Sequence, residues 1–174
     1  MNTYKQSEHI AGTDQARGTG DNVVLRMVGL GLIAGMRATF APAFLSHFLA
    51  GHKSKAIGGS GLKFIQSPVA SGISKGLAVL EILGDKKAAA PDRTVAPQVA
   101  ARLASGALAG AIVAKANNQP LLKGVLIGSA AALVGTFGAF YLRKYVDRLP
   151  HVKDHYVGAA EDALGLAAGF LLTK

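Results

Sequence analysis

Four charged side chains sit inside otherwise apolar stretches, and their types and spacing limit what chemistry the chain can carry. Arg37 stands near the middle of residues 29–50 (GLGLIAGMRATFAPAFLSHFLA), with Pro42 five residues on. Glu81 and Asp85 lie four apart in LEILGDK and so share one helix face. Glu161 follows in AEDALGLAAG, with Asp162 beside it. An arginine at the centre of a spanning helix costs at least about 2.5–3.5 kcal/mol, so it must face protein or water. A buried carboxylate either pairs with a cation or takes up a proton. The group Arg37, Glu81, Asp85 and Glu161 therefore has two readings, both open: a proton or cation relay, or a static ion-pair network tying helices together.

His151 and His155 (HVKDH) have the spacing of a metal pair, with Asp154 alongside. Pro150 blocks a helix just before them and no third ligand is close, so they read as surface histidines and no metal is expected. The chain has no P-loop, no GxSxG and no HExxH. The stretch GLGLIAG lacks the preceding strand that a dinucleotide fingerprint requires. Nothing points to an enzyme or a cofactor.

The elements that must position these residues are helices. Half of the 174 residues are apolar, mostly Ala, Leu, Val and Gly, with no Trp, few aromatics and 22 glycines. A soluble core of this size usually holds more bulky side chains, whereas glycine-rich apolar helices pack backbone against backbone in lipid. The formal net charge of +9 comes from small basic groups between apolar segments, the pattern of membrane-protein loops facing anionic lipid. It is not the aromatic-interleaved stripe of a nucleic-acid binder, and no nucleic-acid partner is expected. The absence of cysteine excludes disulfides and thiolate metal sites.

Residues 1–21 are polar and without periodicity, and are expected to form a disordered or surface-lying tail; residues 22–174 form the helical membrane domain. The first helix is expected from Val23 toward Phe40, broken at Pro42 and continued by 43–50 to complete a crossing. Residues 51–61 read as a loop. Further helices are expected from Ser67-Pro68 to about Asp85, from Gln98 to about Ala116, from Leu121 to about Tyr145 and from Tyr156 to Leu172. The fold class is thus an all-α polytopic membrane bundle of about five helices. Glycines recur four apart, at Gly31 and Gly35, Gly106 and Gly110, Gly124 and Gly128, and Gly165 and Gly169, each pair on one face where another backbone can approach.

Residues 31–40 (GLIAGMRATF) and 131–140 (AALVGTFGAF) align without gaps and share Gly35 with Gly135 and Phe40 with Phe140. Two readings stay open: chance similarity, or an inverted repeat of two helices, a linker helix and two helices, with a site at the repeat interface. Counting Lys and Arg by loop puts nine on the side of the tail and six on the other, which favours a cytoplasmic N-terminus.

The runs GLIAGMRATFAP, LEILGDKKAAAPDRT, ARLASGALAGA and AEDALGLAAG resemble a family of small bacterial integral membrane proteins catalogued as domain of unknown function 4126. Glu81, Asp85, Lys86 and Pro91 match that family's most recognisable stretch, although proline follows the lysine at a longer interval here. The resemblance spans roughly residues 23–172 and implies a multi-pass protein of the bacterial inner membrane. It implies no activity. The leading expectation is a small transporter or channel for an ion or solute, lined by Arg37, Glu81, Asp85 and Glu161. The alternative is a non-catalytic membrane subunit or scaffold, packed against partner helices or its own copies through small-residue faces. The bilayer itself is the one partner common to both.

Overall fold

The structure, a computed structural model, describes residues 3–84, 95–146 and 154–173, and for residues 3–19, 154–157 and 161 it describes the backbone alone. These residues form seven α-helices and one 3₁₀ helix: α1 (Thr3–Met36), α2 (Phe40–Gly51), α3 (Lys55–Gly58), the 3₁₀ helix (Gly61–Gln66), α4 (Pro68–Gly84), α5 (Ala96–Ala116), α6 (Leu121–Val146) and α7 (Asp154–Thr173). Among the described residues there is no strand. The later boundaries follow the local rules of the sequence. Ser67 caps α4 by accepting the Ala70 N–H at 3.0 Å, with Pro68 just inside the helix. At the end of α5, Asn118 takes a positive φ of 54°, a conformation asparagine tolerates, and the Gln119 N–H returns to the Ala114 carbonyl at 2.8 Å.

The first apolar stretch is not one continuous span. Gly29 abuts Leu172 and Arg37 reaches Asp162, so α1 runs antiparallel to α7. Phe40 lies over Gly165 and Phe44 over Gly169, so α2 runs parallel to the same helix. The chain therefore reverses at residues 37–39, and α1 and α2 form a helical hairpin. With 12 residues, α2 is about 18 Å long, well short of a hydrocarbon core of roughly 30 Å. Its tip meets Ser105, the tenth residue of the 21-residue α5, and so lies halfway along the bundle. The expected crossing by residues 23–50 is corrected accordingly. A proline's ring clashes with the carbonyl four residues earlier and cannot donate to it, so the effect of Pro42 falls at Ala38. Pro42 itself sits in the first turn of α2, where a helix lacks N–H partners anyway. Residues 51–61, expected as loop, include the short helix α3.

Glycines set the contacts between α1, α5 and α6. A Cβ at Gly31 would stand 2.6 Å from the Ala131 Cβ and 2.7 Å from the Gly128 carbonyl oxygen. One at Gly35 would run into the Ala132 carbonyl oxygen. Gly106 and Gly110 of α5 face Gly128 and Gly124 of the antiparallel α6 so closely that a Cβ on any of the four would strike the opposing backbone. Gly165 and Gly169 differ: they make room for the rings of Phe40 and Phe44. The two stretches aligned by sequence, 31–40 and 131–140, belong to α1 and α6, which run parallel in contact, and only the first is broken. An inverted repeat needs opposite directions, so that arrangement is set aside.

Beneath the hairpin tip, Met27, Leu30, Ile33, Phe40, Leu45, Leu49, Ile57 and Ile112 form an aliphatic and aromatic core. Many other large apolar side chains point outward, among them Val69, Ile73 and Leu80 on α4, Leu126, Val134 and Phe137 on α6, and Leu164 and Phe170 on α7. Helices α5 and α6 are each long and apolar enough to cross a membrane, and only 28% of the apolar window of α6 is buried. Placing a methyl group at the closest backbone approach should cost about 1–3 kcal/mol. Gly110→Ala is expected to lower the thermal unfolding midpoint. By contrast, Gly138→Ala, which enters open space on α6, should be neutral or stabilising by up to about 1 kcal/mol. Equal midpoints for the two variants would refute the glycine contact.

Candidate functional site: the polar junction at the hairpin tip

Breaking a helix at residues 37–39 leaves backbone groups with no intrahelical partner, in the interior of the bundle. Each must be satisfied there or cost a desolvation penalty. The Arg37 N–H still reaches the Ile33 carbonyl at 2.8 Å, and α2 restarts with the Ala43 N–H on the Thr39 carbonyl at 3.0 Å. Between these, the groups of Gly35, Ala38 and Thr39 are met by other helices.

Glu81 of α4 supplies the acceptors. Its Oε1 accepts the Ala38 N–H at 3.0 Å, and its Oε2 accepts the Thr39 N–H at 2.9 Å together with the Thr39 hydroxyl. One carboxyl group thus caps the N-terminus of α2 from a neighbouring helix, where the helix dipole also favours negative charge. The donors come from α5 and α6. With Pro42 unable to donate, the Ala38 carbonyl accepts the Ser105 hydroxyl instead. The Thr39 N–H is committed to Glu81, so the Gly35 carbonyl accepts the Thr136 hydroxyl at 3.1 Å, which it shares with the Ala132 carbonyl at 2.7 Å.

The Arg37 side chain leaves the tip toward α7. Its Nε donates to Asp162 Oδ1 at 2.8 Å, and its Nη2 lies 2.6 Å from the same oxygen. The pair is shielded, with side-chain exposures of 4% and 18%. Its Coulomb attraction is offset in large part by the desolvation of both ions, so its firmest consequence is geometric: it holds α7 against the hairpin. Helices α4, α5, α6 and α7 thus each contribute one side chain to the break and the last turn of α1 before it.

Of the four expected cluster residues, Arg37 and Glu81 meet at this junction, where Glu81 holds the Ala38 and Thr39 amides that follow Arg37. Asp85 lies outside the described residues, as does the side chain of Glu161. Among the described side chains, Asp162, the neighbour of Glu161, pairs with Arg37. His151 lies outside the described residues, and of His155 only the backbone is described. Ser105 and Thr136 escape a sequence reading because a lone hydroxyl in an apolar helix usually bonds within its own turn. Arg102, on α5 in the run ARLASGALAGA, is a second deeply buried arginine, 3% exposed; its sign was legible and its depth was not. Just beyond the tip, Leu32, Met36, Gly135, Gly138, Leu142 and Leu164 line an apolar cleft of about 340 Å³ between α1, α6 and α7.

The arrangement can do two things chemically. It fixes a broken helix in an apolar interior, and it places a carboxyl group on the backbone amides of the tip. Glu81→Ala would strand two backbone N–H groups and a hydroxyl, and is expected to lower unfolding free energy by about 2–4 kcal/mol. Equilibrium denaturation of the purified protein measures it, and a loss below about 0.5 kcal/mol would mean that Glu81 is not the cap.

The family model described as Domain of unknown function (DUF4126) matches residues 24–173 of the chain, a range that includes every residue of the junction. No curated protein and no solved structure matches it.

Proposed function

The chain belongs to the DUF4126 family, whose description carries no activity, and we propose from its geometry that it is a small multi-pass protein of the bacterial inner membrane. We propose further that its hairpin tip forms part of a pathway for a small ion or solute. The observation that carries the reading is the helix broken halfway along the bundle and capped by Glu81. Broken helices at membrane depth are tolerated where protein or a water-filled cavity satisfies the backbone, and in many transporters such helix ends form the site. The outward-facing apolar residues of α4, α6 and α7 support the membrane setting, since water would leave that surface unpaid for.

In this reading α1 and α2 enter the bilayer and return to the side they came from. Residue 22 and the segment after Gly51 then share one face of the membrane. Moving Lys5 and Arg17 to that face turns the count of nine against six into seven against eight. A cytoplasmic N-terminus therefore rests on the membrane experiment rather than on charge. The chain has no cysteine, so introduced ones report cleanly. Asn22→Cys and Lys55→Cys are expected to react with a membrane-impermeant thiol reagent from the same side of sealed vesicles. Labelling from opposite sides would restore a full crossing and remove the hairpin.

The pathway itself is tested by ion and proton flux in proteoliposomes. Wild type should conduct under an imposed gradient, and Glu81→Gln, which keeps one carbonyl acceptor for the tip, should lose at least about ten-fold in rate. The unfolding midpoint of each variant separates lost flux from lost fold. Absence of wild-type flux under every gradient, with the protein folded, would overturn the pathway.

One feature favours the scaffold alternative. The pairs Gly106 and Gly110, and Gly124 and Gly128, are occupied within the chain, but Gly72 and Gly76 on α4 face open space among exposed apolar residues. A partner helix or a second copy would seat there, and bulky residues at Gly72 and Gly76 would release it without unfolding the chain.

A further inference from the structure

At the far end of the hairpin from the tip, three lysines from three different elements converge on one pocket. Lys53 follows α2, Lys55 opens α3 and Lys63 lies in the 3₁₀ helix; with Ser54, Gly58, Gln66, Ser67 and Pro68 they line a space of about 400 Å³. That volume is ordinary for a small-molecule site. Gln66 is 6% exposed, and its Oε1 accepts the Ser54 N–H at 2.7 Å, which fixes the segment carrying Lys53 and Lys55 against the one carrying Lys63. The chain has no acidic residue between Asp21 and Glu81. Three like charges are therefore brought together with no carboxylate from their own stretch of chain to offset them. Such a concentration of ammonium groups attracts an anion and supplies many donors to it.

We propose that this pocket binds the phosphate group of an anionic phospholipid. The lysines would hold the phosphate oxygens, and the lysine stems, Gly58 and Pro68 leave a largely apolar wall for the glycerol backbone. Two neighbours select a lipid over free phosphate. Phe64 and Val69, each next in sequence to a lining residue, are 54% and 70% exposed, an apolar surface that inorganic phosphate has no use for and an acyl chain does. The position also fits: the pocket lies at the end of the bundle, at headgroup level, where basic clusters recognise anionic lipid. This inference rests on the membrane reading above, and the test keeps the two apart.

Flotation of the full chain with pure phosphatidylcholine vesicles after an alkaline wash tests the membrane reading alone; failure there removes both proposals. The pocket is tested in detergent micelles by equilibrium binding of acyl-labelled phosphatidylglycerol, with acyl-labelled phosphatidylcholine as reference. Wild type is expected to prefer phosphatidylglycerol by roughly ten-fold. The triple variant Lys53→Gln, Lys55→Gln, Lys63→Gln should abolish that preference. Lys115→Gln with Lys123→Gln, at the same end of the bundle but outside the pocket, should preserve it. Equal binding of the two lipids by wild type, or a preference that survives in the triple variant, would overturn the site. Displacement of the lipid by millimolar inorganic phosphate would assign the pocket to free phosphate and overturn the lipid assignment.

Discussion

The rest of the structure depends on a hydrogen-bonding debt created by one proline. Pro42 has no N–H for the Ala38 carbonyl, and its ring clashes with that carbonyl, which disfavours a continuous helix there. The chain turns back, and the backbone groups of Gly35, Ala38 and Thr39 are left to be satisfied in an apolar interior. Each unpaired group would cost about 1–3 kcal/mol, enough in sum to unfold a marginally stable chain. Glu81, Ser105 and Thr136 answer these groups, and Asp162 answers the Arg37 side chain. Because each of the four answers comes from a different helix, satisfying the break also fixes where α4, α5, α6 and α7 stand around it.

The second constraint is how near those helices must come. Ser105 and Thr136 carry short side chains, and a hydroxyl reaches a neighbouring carbonyl only if the two helices nearly touch. The glycines allow this. Gly106 sits beside Ser105, Gly135 beside Thr136, and Gly35 provides the very carbonyl that Thr136 meets. Larger residues at these positions would hold the helices apart and break the hydrogen bonds at the tip. Glycine packing and polar junction are therefore one device, with close approach as the condition for capping.

This explains what the sequence made legible. Charge in an apolar run is conspicuous, so Arg37 and Glu81 stood out, and the four-residue spacing of Gly106 with Gly110 and Gly124 with Gly128 marked faces of close approach. Helix ends announced by Ser67-Pro68 and by Asn117 to Pro120 fell within two residues of their places. What was not legible was anything depending on partner or phase. Asp162 was not singled out, because only the position of α7 brings its side chain to Arg37. The influence of Pro42 appeared one turn upstream of the residue, which converts an expected bend in a crossing into a reversal. The parallel course of α1 and α6 was invisible, because two aligned glycine-rich stretches look alike whichever way they run.

The hairpin joins the two proposed sites mechanically. Its tip is held by Glu81 near the end of α4, and its base by the segment in which Ser54 bonds to Gln66, just before α4 begins at Pro68. Helices α2 and α4 thus form one antiparallel unit, tied at both ends, with the lysine pocket at one end and the polar junction at the other. A phosphate drawn in by Lys53, Lys55 and Lys63 would tighten the lower tie and resist any shift of α4 along α2. Glu81 can leave the Ala38 and Thr39 amides by such a shift of α4 or by a turn of its own side chain, and only the first of these is resisted at the base. A ligand that binds the tied arrangement better than the shifted one stabilises it by its difference in affinity and by no more than that. Lipid at the base would therefore oppose opening by a shift of α4, to an extent set by how differently the three lysines are placed in the two arrangements.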